Sequence, residues 1–304
     1  TGAAVRLSGS GLGCPEWPSC TKDSLTPTGA VGLHGRVEFV NRMITGFVSV
    51  GVILAVLGSL LRAPMRRDLI WLSVGLVVGV IAQALLGALV VEKLLDPPFV
   101  MGHFLLSAVL LANAIYLHYR AGVPDGFPTR SVVAPSILWM ARCLMLAVSV
   151  ALVTGTVVTG AGPHSGDAGN SASLDLRATR LDLAVPEVAR VHGTSVMVLL
   201  GMVLVTAWLV FRTRPARRIS DRLGILLTVL LAQGAIGYAQ YFTGVPALLV
   251  GVHVAGATAV FAATLVFLLV LYEPAPQPGS GESEPGLPPS EGIEVGRSIA
   301  SAVS

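Results

Sequence analysis

The chain has 304 residues, 53% of them hydrophobic and only 12% charged, with a formal net charge of +3. Soluble domains carry roughly 25% charged residues, so this composition, with a mean hydropathy of +0.76, excludes an ordinary soluble domain. The sequence pI of about 9.0 comes from arginines gathered in short connections; it reports membrane topology, not nucleic-acid binding.

In chain order, a polar segment over 1–36 comes first, with Cys14 and Cys20 flanking Pro15-Glu16-Trp17-Pro18-Ser19. Seven apolar runs follow, at about 37–61, 69–91, 100–117, 137–159, 191–211, 223–242 and 248–271. Each is about long enough to cross a ~30 Å hydrocarbon core as a helix. The connections 62–68, 118–136 and 212–222 hold most of the arginines, whereas 92–99 and 243–247 hold only Lys93. By the positive-inside rule the arginine-rich connections are cytoplasmic. That places 1–36 and the loop 160–189 outside and the tail from Glu273 inside. The tail is rich in Gly, Pro, Ser and Glu and is predicted to be disordered. The fold class is an all-α polytopic membrane bundle in the plasma membrane.

An internal repeat organises these runs. Ala82-Gln83 with Gly87 recurs as Ala232-Gln233 with Gly237, and Gln83 stands as far from His103 as Gln233 does from His253. Asn41 stands about as far before Gln83 as His192 does before Gln233. The repeat predicts two pseudo-symmetric halves about an axis along the membrane normal: 1–117, a cytoplasmic linker 118–136, and 137–271, followed by the tail 272–304. Thr154-Gly155 with Val158 also echoes Thr1-Gly2 with Val5. Because Thr154-Gly155 lies near the outer end of a run, a helix is expected to end at Thr1-Gly2. Eight helices are then expected, of which the sequence holds seven.

The repeat concentrates chemistry at one depth. His103, His192 and His253 each lie a few residues inside the outer end of their runs, and Asn41 holds the fourth equivalent place. Ionisable or ligating side chains inside a bilayer mark functional sites, and imidazoles facing one another across a bundle hold a metal or a haem iron. A single such histidine is as often a hydrogen-bonded interhelical contact; three at repeat-equivalent positions are not. His192 and His253 are predicted to give six-coordinate haem iron. The first half offers His103 opposite Asn41, a poor iron ligand, with Glu38 one turn earlier on the same face. Glu38 either moves protons or forms an i,i+4 ion pair with Arg42, and the two are compatible. Cys14 and Cys20 suggest a disulfide outside the cytoplasm, structural in preference to redox-active. Cys143 is expected as a buried free thiol, and His34 and His164 as solvated loop residues with haem-edge contact as the alternative. His118 is assigned no function.

At these residues the chain resembles a known family. Ser8-Gly9-Ser10-Gly11-Leu12-Gly13-Cys14-Pro15-Glu16-Trp17-Pro18 is similar to the first outer loop of haem A synthases. Glu38-Phe39-Val40-Asn41-Arg42 resembles their Glu-x-x-His-Arg motif, and Gly162-Pro163-His164-Ser165-Gly166-Asp167 their later outer loop. The resemblance implies eight helices in two halves and oxidation of the C8 methyl of haem O to the formyl of haem A, for cytochrome oxidase. It implies a resident haem b on His192 and His253, substrate haem facing His103 and Asn41, an essential carboxylate at Glu38, and a Cys14–Cys20 pair. It also implies haem O supplied by a haem O synthase, an electron-transfer partner, and surrounding lipid; homo-oligomer formation stays open. The chain departs from the family pattern at Asn41, where the motif has His, and in the absence of cysteines from 160–189. Two other classes remain at this point: a non-catalytic di-haem electron carrier, which favours four histidines, and a haem-delivery protein, which needs no carboxylate at the pocket.

Overall fold

The computed structural model describes residues 1–125, 129–166 and 178–275. Seven of its helices are long and apolar enough to cross a membrane: α2 (Gly32–Leu61), α3 (Arg67–Glu92), α4 (Pro97–Gly122), α5 (Pro135–Ala161), α6 (Val185–Thr213), α7 (Arg217–Phe242) and α8 (Ala247–Val270). A six-residue helix, α1 (Gly2–Leu7), precedes them. The long helices cover their predicted apolar runs except for Leu271, just past the end of α8, and all overshoot at one or both ends, α2 by five residues and α6 by six at the start. The overshoot has a backbone cause. A segment leaving the hydrocarbon must still satisfy its N–H and C=O groups, and prolines in the first turn of α4, α5 and α6 start those helices without losing a bond.

The chain turns back at every connection, so the starts of α2, α4, α6 and α8 share one end of the bundle with the ends of α3, α5 and α7. This is the disulfide end, where Cys14 and Cys20 are bonded; the opposite, arginine end carries Arg62, Arg66, Arg120 and Arg218. The best-packed core lies in the second half, where Ile137, Leu144, Leu199, Leu226, Phe267 and Leu271 are fully or almost fully buried. Phe47, Leu61 and Trp71 on α2 and α3 are exposed, as lipid-facing side chains are.

Polar ties close both ends. At the arginine end Arg66 pairs with Asp68 at 2.6 Å, Arg120 reaches the same carboxylate at 2.8 Å, and Arg62 pairs with Asp125 at 3.0 Å. A two-stranded antiparallel sheet, absent from the sequence expectation, joins β1 (Thr129–Ser131) to β2 (Tyr272–Pro274), with Arg130 opposite Glu273. The first residues of the predicted tail are therefore paired, and Glu273 also meets Arg218. The rest of the expected disordered tail, 276–304, lies outside the described residues. Cys143, expected to be buried, is exposed, because Ala141 and Leu144 take the core-facing side of its turn.

At the disulfide end, half-buried Arg6 donates from Nε to the His164 carbonyl at 2.6 Å and from Nη2 to the Thr159 carbonyl at 2.9 Å. Burial, and then the nearby Arg180, hold its guanidinium below the usual arginine value. His164 is not a solvated loop residue: its Nε2 bonds the Val245 carbonyl at 2.9 Å, tying the loop after α5 to the α7–α8 connection. Asp167, the last residue of that loop motif, lies outside the described residues.

Candidate functional site

Two imidazoles meet in the second half. The rings of His192 on α6 and His253 on α8 lie 6.3 Å apart between centroids, at 84° to each other. Two imidazoles bound through Nε2 at about 2 Å on either side of one iron place their centroids about 6 Å apart. The spacing therefore fits one iron between them. Among the described residues no group of three or more His, Cys, Asp or Glu could hold a bare metal ion. The pair suits an iron that brings its own equatorial donors, as haem iron does.

Neighbouring residues set the ring orientations. Thr154 Oγ1 lies 3.1 Å from His192 Nδ1 and donates to the Val150 carbonyl at 3.0 Å. With its hydrogen committed to that carbonyl, the hydroxyl accepts from Nδ1–H, the tautomer that leaves Nε2 free to ligate. On the other side Gln233 Nε2 donates to the His253 carbonyl at 2.7 Å, and in the first half Gln83 Nε2 donates to the His103 carbonyl at 3.0 Å. The repeated glutamines thus perform the same task in both halves. His103 and His253 each bury Nδ1 without a hydrogen-bond partner among the described residues.

Every one of these rings also leans on a glycine of the adjoining helix. A Cβ at Gly155 would stand 3.1 Å from His192 Cε1, one at Gly237 2.9 Å from His253 Cε1, and one at Gly87 3.4 Å from His103 Cε1. The ring fits because the side chain opposite is missing. Sequence reasoning used Gly87, Gly155, Gly237 and the two glutamines only as repeat markers. Their shared spacing from the histidines was the signal that could have assigned them these roles.

The first half differs at α2. Asn41 is half-buried at the place that His192 holds in the repeat. Glu38, a turn earlier, is 5% exposed, so its pairing with Arg42 at 2.6 Å is not at a wet interface. Its second oxygen accepts the Cys14 backbone N–H at 2.7 Å. Arg42 in turn donates to the carbonyls of Cys14, Glu16, Pro18 and Ser19 at 3.0 to 3.4 Å. Glu38 and Arg42 together clamp the Cys14–Cys20 segment onto α2. Cys14 and Cys20 form a disulfide, and both are fully buried. Gly13 permits the approach, since any side chain there would run into the His34 carbonyl. His34 itself is exposed and bonds Ser10 Oγ through Nδ1 at 3.0 Å. The carbonyl clamp was invisible to sequence reasoning, which saw only the i,i+4 pair.

Comparison with known proteins agrees with this architecture. The family model described as cytochrome oxidase assembly protein (COX15-CtaA) matches residues 34–265. The heme A synthase of Listeria welshimeri serovar 6b is 27% identical over 256 residues, covering 80% of this chain and 81% of that one. The heme A synthase of Listeria monocytogenes serotype 4a is 26% identical over 265 residues, with the same coverage. That of Geobacillus kaustophilus is 32% identical over 120 residues, 38% of this chain and 36% of its own. The chain belongs to the cytochrome oxidase assembly protein family, the family of the haem A synthases.

Proposed function

We propose that the chain is a haem A synthase of a bacterial plasma membrane, converting the C8 methyl of haem O to a formyl group to give haem A for cytochrome oxidase. The observation that carries this reading is the asymmetry between two otherwise repeated sites. One has paired imidazoles at iron-bridging distance; the other has one imidazole, an amide and a buried carboxylate. A di-haem carrier has no use for that difference.

In this reading His192 and His253 hold a resident haem b, which supplies one-electron transfer when bound. Thr154 and Gln233 fix the two ligand helices, and Gly155 and Gly237 let the rings stand where they do. Substrate haem would be held in the first half, where His103 and Asn41 occupy the places equivalent to His253 and His192. Going from methyl through alcohol to geminal diol takes two two-electron oxidations, whose electrons pass to an external oxidant through the electron-transfer partner, and the diol then loses water to give the aldehyde. Glu38 handles protons at the reacting edge, and Arg42 with the Cys14 N–H keeps its carboxylate in one place. The disulfide end faces outward and the arginine end faces the cytoplasm, in keeping with the arginine distribution.

The test is pigment extraction after expression with a supply of haem O. Formyl-bearing haem A is the expected product, and unchanged haem O beside a normally loaded protein would refute the reading. His192→Ala and His253→Ala are each expected to remove a low-spin haem, since each takes away one axial nitrogen.

A further inference from the structure

The fourth ligand place is the one that breaks the pattern, and its chemistry deepens the reading of the first half as the substrate-haem site. Three of the four places carry an imidazole leaning on a glycine, whereas the glycine that the repeat sets against Asn41 is Gly2, with nothing within 4 Å of where its Cβ would be. No other side chain on α2 can stand in for the missing imidazole. His34 lies seven residues earlier, about 10 Å along the helix axis, and its Nδ1 is bonded to Ser10. Both Glu38 oxygens are taken, by the Cys14 N–H and by Arg42. Met43 is turned outward and 49% exposed.

We infer that the first half holds its haem through His103 alone, with Asn41 lining an open axial position, so that this haem exchanges and admits a small neutral ligand while the other half keeps its haem permanently. The inference rests on the substrate-site reading of the first half. A carboxamide is a poor iron ligand, but its N–H groups donate hydrogen bonds and so can hold a small molecule in the open position. A second imidazole there would both fill that position and slow the release of a macrocycle that must enter as substrate and leave as product. The same repeat thus serves two ends: two axial bonds for a resident group, one for a passing one.

The experiment uses the full chain, solubilised and loaded with haem b. It is titrated with imidazole and read by absorption and electron paramagnetic resonance, with haem transfer to apomyoglobin as a second readout. Wild type is expected to show one low-spin and one high-spin haem. Imidazole converts the high-spin one, and His103→Ala removes it while the low-spin signal stays. Asn41→His is expected to make both haems low-spin without imidazole and to slow haem loss from the first half by about tenfold or more. Asn41→Ala is expected to stay high-spin, which keeps the inference open to refutation should Asn41→His not fold. Two low-spin haems in wild type, a high-spin haem indifferent to imidazole, or loss of the high-spin state in Asn41→Ala would each overturn the inference. A haem-to-protein ratio of one, with only the low-spin species, would instead defeat the substrate-site reading itself, so the ratio tells the two failures apart.

Discussion

Glu38 carries two duties that a single substitution separates. Its carboxylate binds the Cys14 N–H and Arg42, and in the proposed mechanism it also exchanges protons. Glu38→Gln keeps the size and one acceptor oxygen but cannot exchange a proton at neutral pH. The low-spin haem of the second half is then expected to stay, while haem O or its alcohol accumulates in place of haem A. A normal haem A yield from this variant would leave Glu38 with the clamp alone. The i,i+4 spacing of Glu38 and Arg42 made their pairing legible in the sequence. The four carbonyls around Arg42 were not, because they depend on a segment up to 28 residues away folding back onto α2.

Between helices, the glycine behind each ring offers a graded test. At Gly237 an added Cβ stands 2.9 Å from the His253 ring, so the ring or the helix must move; at Gly87 the corresponding gap to His103 is 3.4 Å, an ordinary contact. Crowding a packed position costs about 1–3 kcal/mol, enough to displace a ligand without unfolding a helix. Gly237→Ala is expected to lower the low-spin haem content measured per protein, and Gly87→Ala to leave first-half haem binding almost unchanged. Equal losses in both would mean that the rings do not depend on these gaps. The number and rough extent of the long helices were legible because the bilayer writes its thickness into composition. Their ends were less so, since α6 continues through Glu187 and Arg190 before any apolar run begins. Cys143 shows the same limit: hydropathy marks a run as apolar without saying which side faces neighbours and which faces lipid.

Across the whole molecule the repeat holds in the residues packed around the histidines and fails at the fourth place. Gln83 and Gln233 make the same bond to their histidine carbonyls, whereas Asn41 and His192, or Glu38 and its apolar counterpart on α6, share nothing chemically. The ties at the two ends differ: at one, Arg6 of the first half bonds the His164 and Thr159 carbonyls of the second, and at the other the β1–β2 pair joins the linker to the start of the tail. The β pair escaped sequence reading because three-residue strands in polar connections leave no periodic signal.

The clamp over the Cys14–Cys20 segment also bears on how the protein meets redox chemistry. A thiolate must reach a sulfur in line to open a disulfide, yet both sulfur-bearing residues are fully buried beneath the backbone that Arg42 gathers. The bond is thus shielded once the segment has docked, and oxidation belongs to the period before docking. Treating the folded protein with dithiothreitol, then trapping thiols, is expected to recover Cys14 and Cys20 still joined, and Arg42→Ala is expected to make them reducible. Rapid reduction of the untouched protein would show that the segment lifts on its own, making the pair a reagent in place of a staple.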